Sequence, residues 1–207
     1  MIDSLLDRIS QTPHLWNLLR SIVEDGFRSE KMVIASELVP RHQHQDGQRP
    51  RRFLDLGCGT GAFASCFPPD AYVGVDLSLP YVRFAGRTRR GRFVATDSTR
   101  LALSSACFDA ALVLGVLHHL PDPQVRETVR ELHRVLRPGA TALVMEDIPP
   151  PDFWNVAGHA MHWLDRGGFI RTEADYRAFF QAGFHSVRTY HMRSGICDYG
   201  VYVLRRV

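Results

Sequence analysis

Three features of the sequence predict an α/β fold built on a doubly wound, mostly parallel sheet. From Arg52 onward, short apolar runs alternate with stretches of helical periodicity, the pattern of strands joined by crossover helices. The first run leads into three glycines in five positions, Gly57, Gly59 and Gly61, a turn that lets the backbone come close to a ligand. The next two runs end in acids, Asp76 and Asp97, at the carboxyl ends of strands where such sheets bind ligands.

Residues 1–45 precede this unit and read as a helical cap. Ile2, Leu5, Leu6 and Ile9 recur at helical spacing, as do Leu15, Leu18, Leu19, Ile22 and Val23. Pro13 fits the first turn of the second helix and Gly26 a cap after it; a third helix is expected over 28–39. The polar stretch 42–48 is a linker by composition, so the main domain is expected over 46–207. Its strands are expected at 52–56, 71–75, 92–96, 108–114 and 140–145. A short helix is expected after Gly61, then others at 79–89 and 122–136. Arg134 and Arg137 suit the carbonyl end of the last of these, and Pro138-Gly139 stops it. After three consecutive prolines, helices at 152–164 and 172–182 lead to an antiparallel pair at 184–192 and 199–205.

Composition narrows the classes. A chain of 207 residues, 45% hydrophobic and 23% charged, is globular and large enough to bury a core. No stretch reaches the length of a membrane span. Cys58, Cys66, Cys107 and Cys197 form no C-x-x-C pair, and the opening MIDSLLDRIS carries acids where a signal peptide carries positive charge. These point to a reduced, cytoplasmic protein. The net charge is +3, Lys31 is the only lysine, and the basic pairs Arg51-Arg52, Arg89-Arg90 and Arg205-Arg206 are scattered. A nucleic-acid footprint concentrates charge on one face, so no nucleic-acid partner is expected. The oligomeric state is not legible.

What each strand leads into indicates the ligand. The first delivers Asp55 and the glycine turn; the second ends in Asp76, the third in Asp97-Ser98, the fourth in Gly115-Val-Leu-His-His-Leu120 and the fifth in Glu146-Asp147. The spacing Gly57-x-Gly59-x-x-Ala62 also fits a dinucleotide fingerprint, and an acid ending the second strand suits any adenosine ribose. A nicotinamide dehydrogenase therefore remains an alternative. Against it, Asp55 adds negative charge where a pyrophosphate wants positive potential, and Asp97 suits the exocyclic amine of adenine.

Taken in order, FLDLGCGTGAF, YVGVDLS, RFVATDSTRL, FDAALVLGVLHHLPD and VRELHRVLRPGATALVMED resemble the class I S-adenosylmethionine-dependent methyltransferases, in particular their small generic branch. The resemblance covers 52–147 and departs from the pattern at Ala140, where a second glycine is usual. It implies a Rossmann-like, seven-stranded sheet with the last strand antiparallel. It also implies that Asp55, Gly57, Gly59 and Gly61 hold the methionine part of S-adenosylmethionine, with Cys58 a small residue fitting within the turn. Asp76 would bind the ribose diol with Leu77 beside the adenine, Asp97 and Ser98 would face the adenine edge, and Leu114, Gly115 and the residues to His119 would border the sulfonium.

His118 and His119 are the candidate general bases, because methylation of a hydroxyl needs its proton removed near neutral pH. His159, His162, Asn155 and Trp16 are candidates for lining the acceptor pocket. His159 and His162 stand three apart without the glutamate of a zinc-protease helix, so no metal is expected. The expected reaction is in-line methyl transfer to a small-molecule acceptor, yielding S-adenosylhomocysteine. A non-catalytic cofactor-binding or partner-binding module shares these features and is the other alternative.

Overall fold

The computed structural model describes residues 18, 20–39, 50–156, 159 and 168–207. Their strands are β1 (Phe53–Leu56), β2 (Tyr72–Asp76), β3 (Arg92–Ala95), β4 (Phe108–Leu114), β5 (Leu136–Asp147), β6 (Phe184–Ser194) and β7 (Cys197–Arg206). They form one seven-stranded sheet in the order β3-β2-β1-β4-β5-β7-β6. Strands β1 to β5 run parallel to one another, and β7 inserts antiparallel between β5 and β6. This is the Rossmann-like arrangement implied by the family resemblance. The order reverses between β1 and β4, so the crevice for a ligand opens at the carboxyl ends of those two strands.

The central strands read as unbroken apolar runs because both of their faces are covered. All four residues of β1 are buried, as are six of the seven in β4. Side chains alternate between the faces. Leu54, Leu56, Val113 and Val144 meet Val129 and Leu132 of helix α3 (Asp122–Val135) and Tyr176 of helix α4 (Glu173–Phe180). Phe53, Leu112, Leu143 and Met145 pack on the other face with Phe63, Phe67 and Ile34, the last from helix α1 (Arg28–Glu37). Helix α2 (Leu79–Thr88) buries Val82 and Ala85. Only β3, at the open edge, has no fully buried residue.

Several boundaries differ from expectation, each for a local reason. The segment after Gly61 forms turns and one short 3-10 turn, Ala64–Cys66, instead of an α-helix. Pro68 and Pro69 follow at once, and the residue before a proline is pushed out of helical geometry; Phe67 is extended at φ −121. Helix α3 ends at Val135, and Pro138-Gly139 lies inside β5. Arg134 donates to the carbonyls of Leu101 and Leu103, and Arg137 pairs with Asp109 at 2.8 Å. Arg134, in the last turn of α3, thus latches the loop before β4, and Arg137 ties β5 to β4.

Strands β6 and β7 run further towards each other than their polar ends suggested, leaving a tight turn at Gly195-Ile196. The polar residues are paired within the hairpin. Asp198 is buried and accepts from His191 Nε2 at 2.7 Å, Arg193 Nε at 3.0 Å and Asn155 Nδ2 at 2.7 Å. The third expected helix of the cap is present as α1, preceded by a turn at Asp25–Phe27. The second expected cap helix is helical where it is described, at residue 18 and over 20–23; the first cap helix, the boundary near residue 45, and most of the helix expected at 152–164 lie outside the described residues. No helix among the described residues is long and apolar enough to cross a membrane.

The hairpin tip docks the segment that leads into α1. Ile196 N donates to the Val23 carbonyl at 3.2 Å and Ser194 Oγ to that of Glu24 at 3.0 Å. Gly195 has a left-handed φ of +57, and a Cβ there would sit 1.9 Å from the Val23 carbonyl oxygen. Gly139 has a similar φ of +76 with open space around it. Gly139→Ala is expected to cost about 1–2 kcal/mol from the left-handed backbone alone. Gly195→Ala is expected to cost clearly more, because the docked segment must also move. Urea unfolding compares the two, and equal midpoints would remove the hairpin tip as a docking point.

Candidate functional site

The glycine turn follows β1 and is strapped to β2. The Gly57 and Cys58 amides both donate to the Val75 carbonyl, at 2.8 and 2.9 Å. The three glycines serve different purposes. A Cβ on Gly57 would strike Val116 Cγ2 at 2.3 Å, so this glycine admits the loop after β4. A Cβ on Gly61 would press on Arg89 and Phe93 at 3.0 and 3.1 Å, so this glycine admits the end of α2. Gly59, at φ +51, faces open space. Gly61 makes room for α2 and is not among the residues lining the recess. Cys58 is buried, with its Sγ 2.9 Å from where a Cβ of Gly74 would stand, and burial raises its thiol pKa. Cys58 is also one of the residues lining the recess described below.

Asp76 ends β2 and orders the turn. Its Oδ2 accepts from Gly59 N at 2.8 Å and its Oδ1 from Ser78 N at 2.7 Å. Burial raises its pKa, and the two amides oppose that. Each oxygen keeps a second lone pair for a ligand hydroxyl. Leu77 beside it is 76% exposed, an apolar surface positioned to cover a ring. Asp55 is buried and accepts from Tyr72 OH at 2.6 Å. Burial pushes its pKa up to about 7; the Tyr72 hydrogen bond lowers it and the charge of Asp76 raises it.

Asp55, Gly57, Gly59, Thr60 and Leu114 line a recess with about 410 Å³ of open space. Two further lining residues, Arg20 and Phe27, come from the segment before α1. Arg20 donates through Nε and Nη2 to Glu24 at 2.7 and 3.2 Å. Glu24 is buried and also accepts from Tyr199 OH at 2.9 Å. Asp25, Gly26 and Phe27 all take left-handed φ values, of 45, 68 and 61. This turn sets Phe27 edge-on against Phe63, with ring centroids 5.3 Å apart. Sequence reasoning missed both residues. The available signal was faint: one arginine within the apolar run LLRSIV.

The carboxyl ends of β4 and β5 build the other half of the site. Glu146 is fully buried. Its Oε1 accepts from Val116 N and Leu117 N at 3.0 and 2.9 Å; its Oε2 accepts from His118 N at 3.2 Å and lies 2.9 Å from His118 Nδ1. Asp147 Oδ2 stands 3.5 Å from the same nitrogen. Arg171 secures the turn from outside, donating to the carbonyls of Leu117 and Leu120 at 2.9 and 2.7 Å. His118 is thus buried between carboxylates, and its expected role as a base is corrected to holding the turn. His119 is exposed, its ring 4.0 Å from that of His118. Glu146 stood out in the sequence only as an acid ending a strand.

Other expected site residues are placed as follows. Gly115 takes φ +63 at the start of the turn, its amide bonded to the Met145 carbonyl at 2.9 Å. Asp97 is exposed, with Oδ1 accepting from Thr99 N and Oγ1, both at 2.8 Å. The Ser98 hydroxyl is bonded to Thr128 Oγ1 of α3 at 2.9 Å, tying the turn after β3 to that helix. Asn155 donates to Asp198 and to the Ile196 carbonyl at 3.1 Å, tying its segment to the hairpin; its expected lining role is corrected to that tie. His159 is exposed, with Nε2 3.1 Å from the Asp152 carbonyl. His162 and Trp16 lie outside the described residues.

The residues present fit S-adenosylmethionine. A glycine faces open space, Asp55 lines the recess, the exposed Leu77 stands next to the strand-end acid Asp76, and Arg20 is the cation lining the recess. Residues 54–144 match the family described as methyltransferase domain. A demethylmenaquinone methyltransferase from Roseiflexus sp. (strain RS-1) is 37% identical over 116 residues, 52% of this chain and 48% of that protein. A tRNA (carboxymethyluridine(34)-5-O)-methyltransferase from Arabidopsis thaliana is 34% identical over 92 residues, 44% of this chain and 22% of that protein. The chain therefore spans about half the length of the first relative and under a quarter of the second. A solved S-adenosylmethionine-dependent methyltransferase from Methanosarcina mazei shares the fold at a TM-score of 0.60 and 19% identity, over 77% of this chain and 94% of that one. The expectation of no nucleic-acid partner is overturned here, because the relatives include an enzyme named for tRNA. Residues 54–144 thus match a methyltransferase-domain family, and the sheet around the glycine turn, the strand-end acids and the Glu146-bound turn has the fold of a solved S-adenosylmethionine-dependent methyltransferase.

Proposed function

We propose that this chain transfers a methyl group from S-adenosylmethionine to a small-molecule acceptor. The observation that carries the reading is the pair of opposite charges, Arg20 and Asp55, in one recess beside the open glycine Gly59. That pair matches the carboxylate and ammonium of an amino acid, and a pyrophosphate would meet Asp55 and Asp76 with like charge. When bound, S-adenosylmethionine supplies a methyl group on a cationic sulfur. Arg20 and Asp55 hold its amino-acid end, Asp76 the ribose hydroxyls, and Leu77 covers the adenine. Leu114 and Gly115 border the reacting carbon, and alignment there is worth about 7–11 kcal/mol when reactants are held in register. His119 is placed to take the proton of an acceptor hydroxyl.

A small acceptor is supported by the relative named for a quinone, 37% identical over 116 residues. Incubation with methyl-labelled cofactor and fractionated extract is expected to label the small-molecule fraction. Label confined to RNA or protein would overturn the acceptor class.

His119→Ala is expected to lower turnover about 100-fold, the scale of a lost general base, with S-adenosylhomocysteine affinity unchanged. His118→Ala is expected to act first on stability, lowering the melting temperature because Glu146 loses a partner. Equal turnover in parent and His119→Ala would reduce that residue to a surface role.

The acid in the recess gives a pH signature. Asp55 is raised by burial from 3.8 to about 7, so the stability its protonated form lends the ligand-free fold is full below its ordinary value and lost as pH rises through about 7. Glu30 is buried without a hydrogen-bond partner for its carboxyl and is likewise raised by burial to about 7, adding to the same decline. Ligand affinity should run the opposite way, because the ammonium of S-adenosylhomocysteine requires ionised Asp55. Affinity is expected to climb between about pH 6 and 8 with release of about one proton, seen by calorimetry in buffers of different ionisation enthalpy. A flat profile would remove Asp55 from the ammonium site.

A further inference from the structure

Residues 77–96 hold five arginines, Arg83, Arg87, Arg89, Arg90 and Arg92, and no acid. The whole chain is only +3, so the other 187 residues sum to −2. The fold gathers these five along one edge. Arg83 and Arg87 are four apart on α2, about 6 Å along its axis. Arg89 and Arg90 follow the helix, and Arg92 opens β3, the first strand of the sheet. All five are exposed. Elsewhere several arginines meet carboxylates: Arg126 with Asp122, Arg130 with Glu127, Arg134 with Glu131, Arg137 with Asp109 and Arg193 with Asp198. Among the described residues, none of the five on the α2–β3 edge has an ion pair.

We infer that the α2–β3 edge is a docking surface for the phosphate backbone of a nucleic acid. Five unpaired guanidinium groups repel one another in the free protein, and a polyanion relieves that repulsion. Guanidinium forks pair with phosphate oxygens two at a time, which favours phosphate over diffuse negative charge. A bilayer fits less well, because a membrane-surface helix must present an apolar face, and α2 spends Val82 and Ala85 on the sheet. Protection of an edge strand from pairing accounts for charge on β3 but not for Arg83 and Arg87 on the outer face of a helix. The surface goes beyond the acceptor reading, since it is independent of what receives the methyl group.

Fluorescence anisotropy with a fluorescein-labelled RNA of about 30 nucleotides, and DNA of the same sequence, tests it across a salt series. Binding is expected to weaken steeply with salt. The triple variant Arg83→Glu/Arg87→Glu/Arg90→Glu should lose at least about tenfold in affinity and flatten the salt slope by about 0.7 for each phosphate contact removed from a single strand. Its S-adenosylhomocysteine affinity, measured by calorimetry, should match the parent and show that the variant folds. The corresponding glutamine variant should fall between the two. Equal affinity for RNA and DNA fits backbone contact alone, and tighter RNA binding adds a contact to the sugar. Salt-independent or absent binding by the parent, unchanged binding by the folded triple variant, or tighter binding to anionic phospholipid vesicles than to RNA would overturn the inference.

Discussion

Glu146 carries its carboxyl group into the core with no exposed surface. A carboxylate so placed costs several kcal/mol unless nearly every lone pair is met. Three backbone amides and an imidazole meet it, all from residues 116–118. The turn after β4 thus has its orphan amides satisfied only while β5 lies in register beside it, with Leu114 opposite Met145. The turn in turn places Val116 against Gly57, where a methyl group would not fit. Through those contacts the acid ending β5 fixes the gap between the glycine turn and the β4 turn, which is where a ligand must lie.

Charge within that gap has a consistent direction. Asp55 and Asp76 sit on one side, close enough for the charge of Asp76 to raise the pKa of Asp55. Arg20 enters from the other side, oriented by Glu24, which Tyr199 holds from β7. The cation therefore depends on the hairpin docking described above, since the same tip binds the Val23 and Glu24 carbonyls. One half of the ligand site is built by the parallel strands and the other by the last two strands acting through the segment before α1. A ligand that bridges both halves couples the cap to the sheet.

This division explains what could be read in advance. Strand β4 was legible to the residue, because a run buried on both faces leaves no ambiguity of period. Asp76 was legible because its role follows from standing at a strand end beside a glycine turn. Ser98, Asn155 and His118 were not, since each is defined by a partner distant in sequence: Thr128, Asp198 and Glu146. The ends of β6 and β7 were hidden for the same reason, as His191, Arg193 and Asp198 look like loop residues until they pair with one another. The packing of α2 over Gly61 was hidden too, because Arg89 and Phe93 come from elements later in the sequence.

Arginine shows most clearly why composition falls short. With Lys31 the only lysine, nearly every cation in the chain is an arginine, so their abundance marks no surface. Their partners do. Arg171 is spent on two carbonyls and Asp122, Arg134 on two carbonyls and Glu131, and each is a structural strut. Arg20 is spent on one glutamate while lining a recess, which makes it part of a binding site. The five on the α2–β3 edge are spent on nothing within the described fold. An exposed charge contributes little to stability whether paired or not, so five of one sign on one edge are better explained by what they bind than by what they hold together.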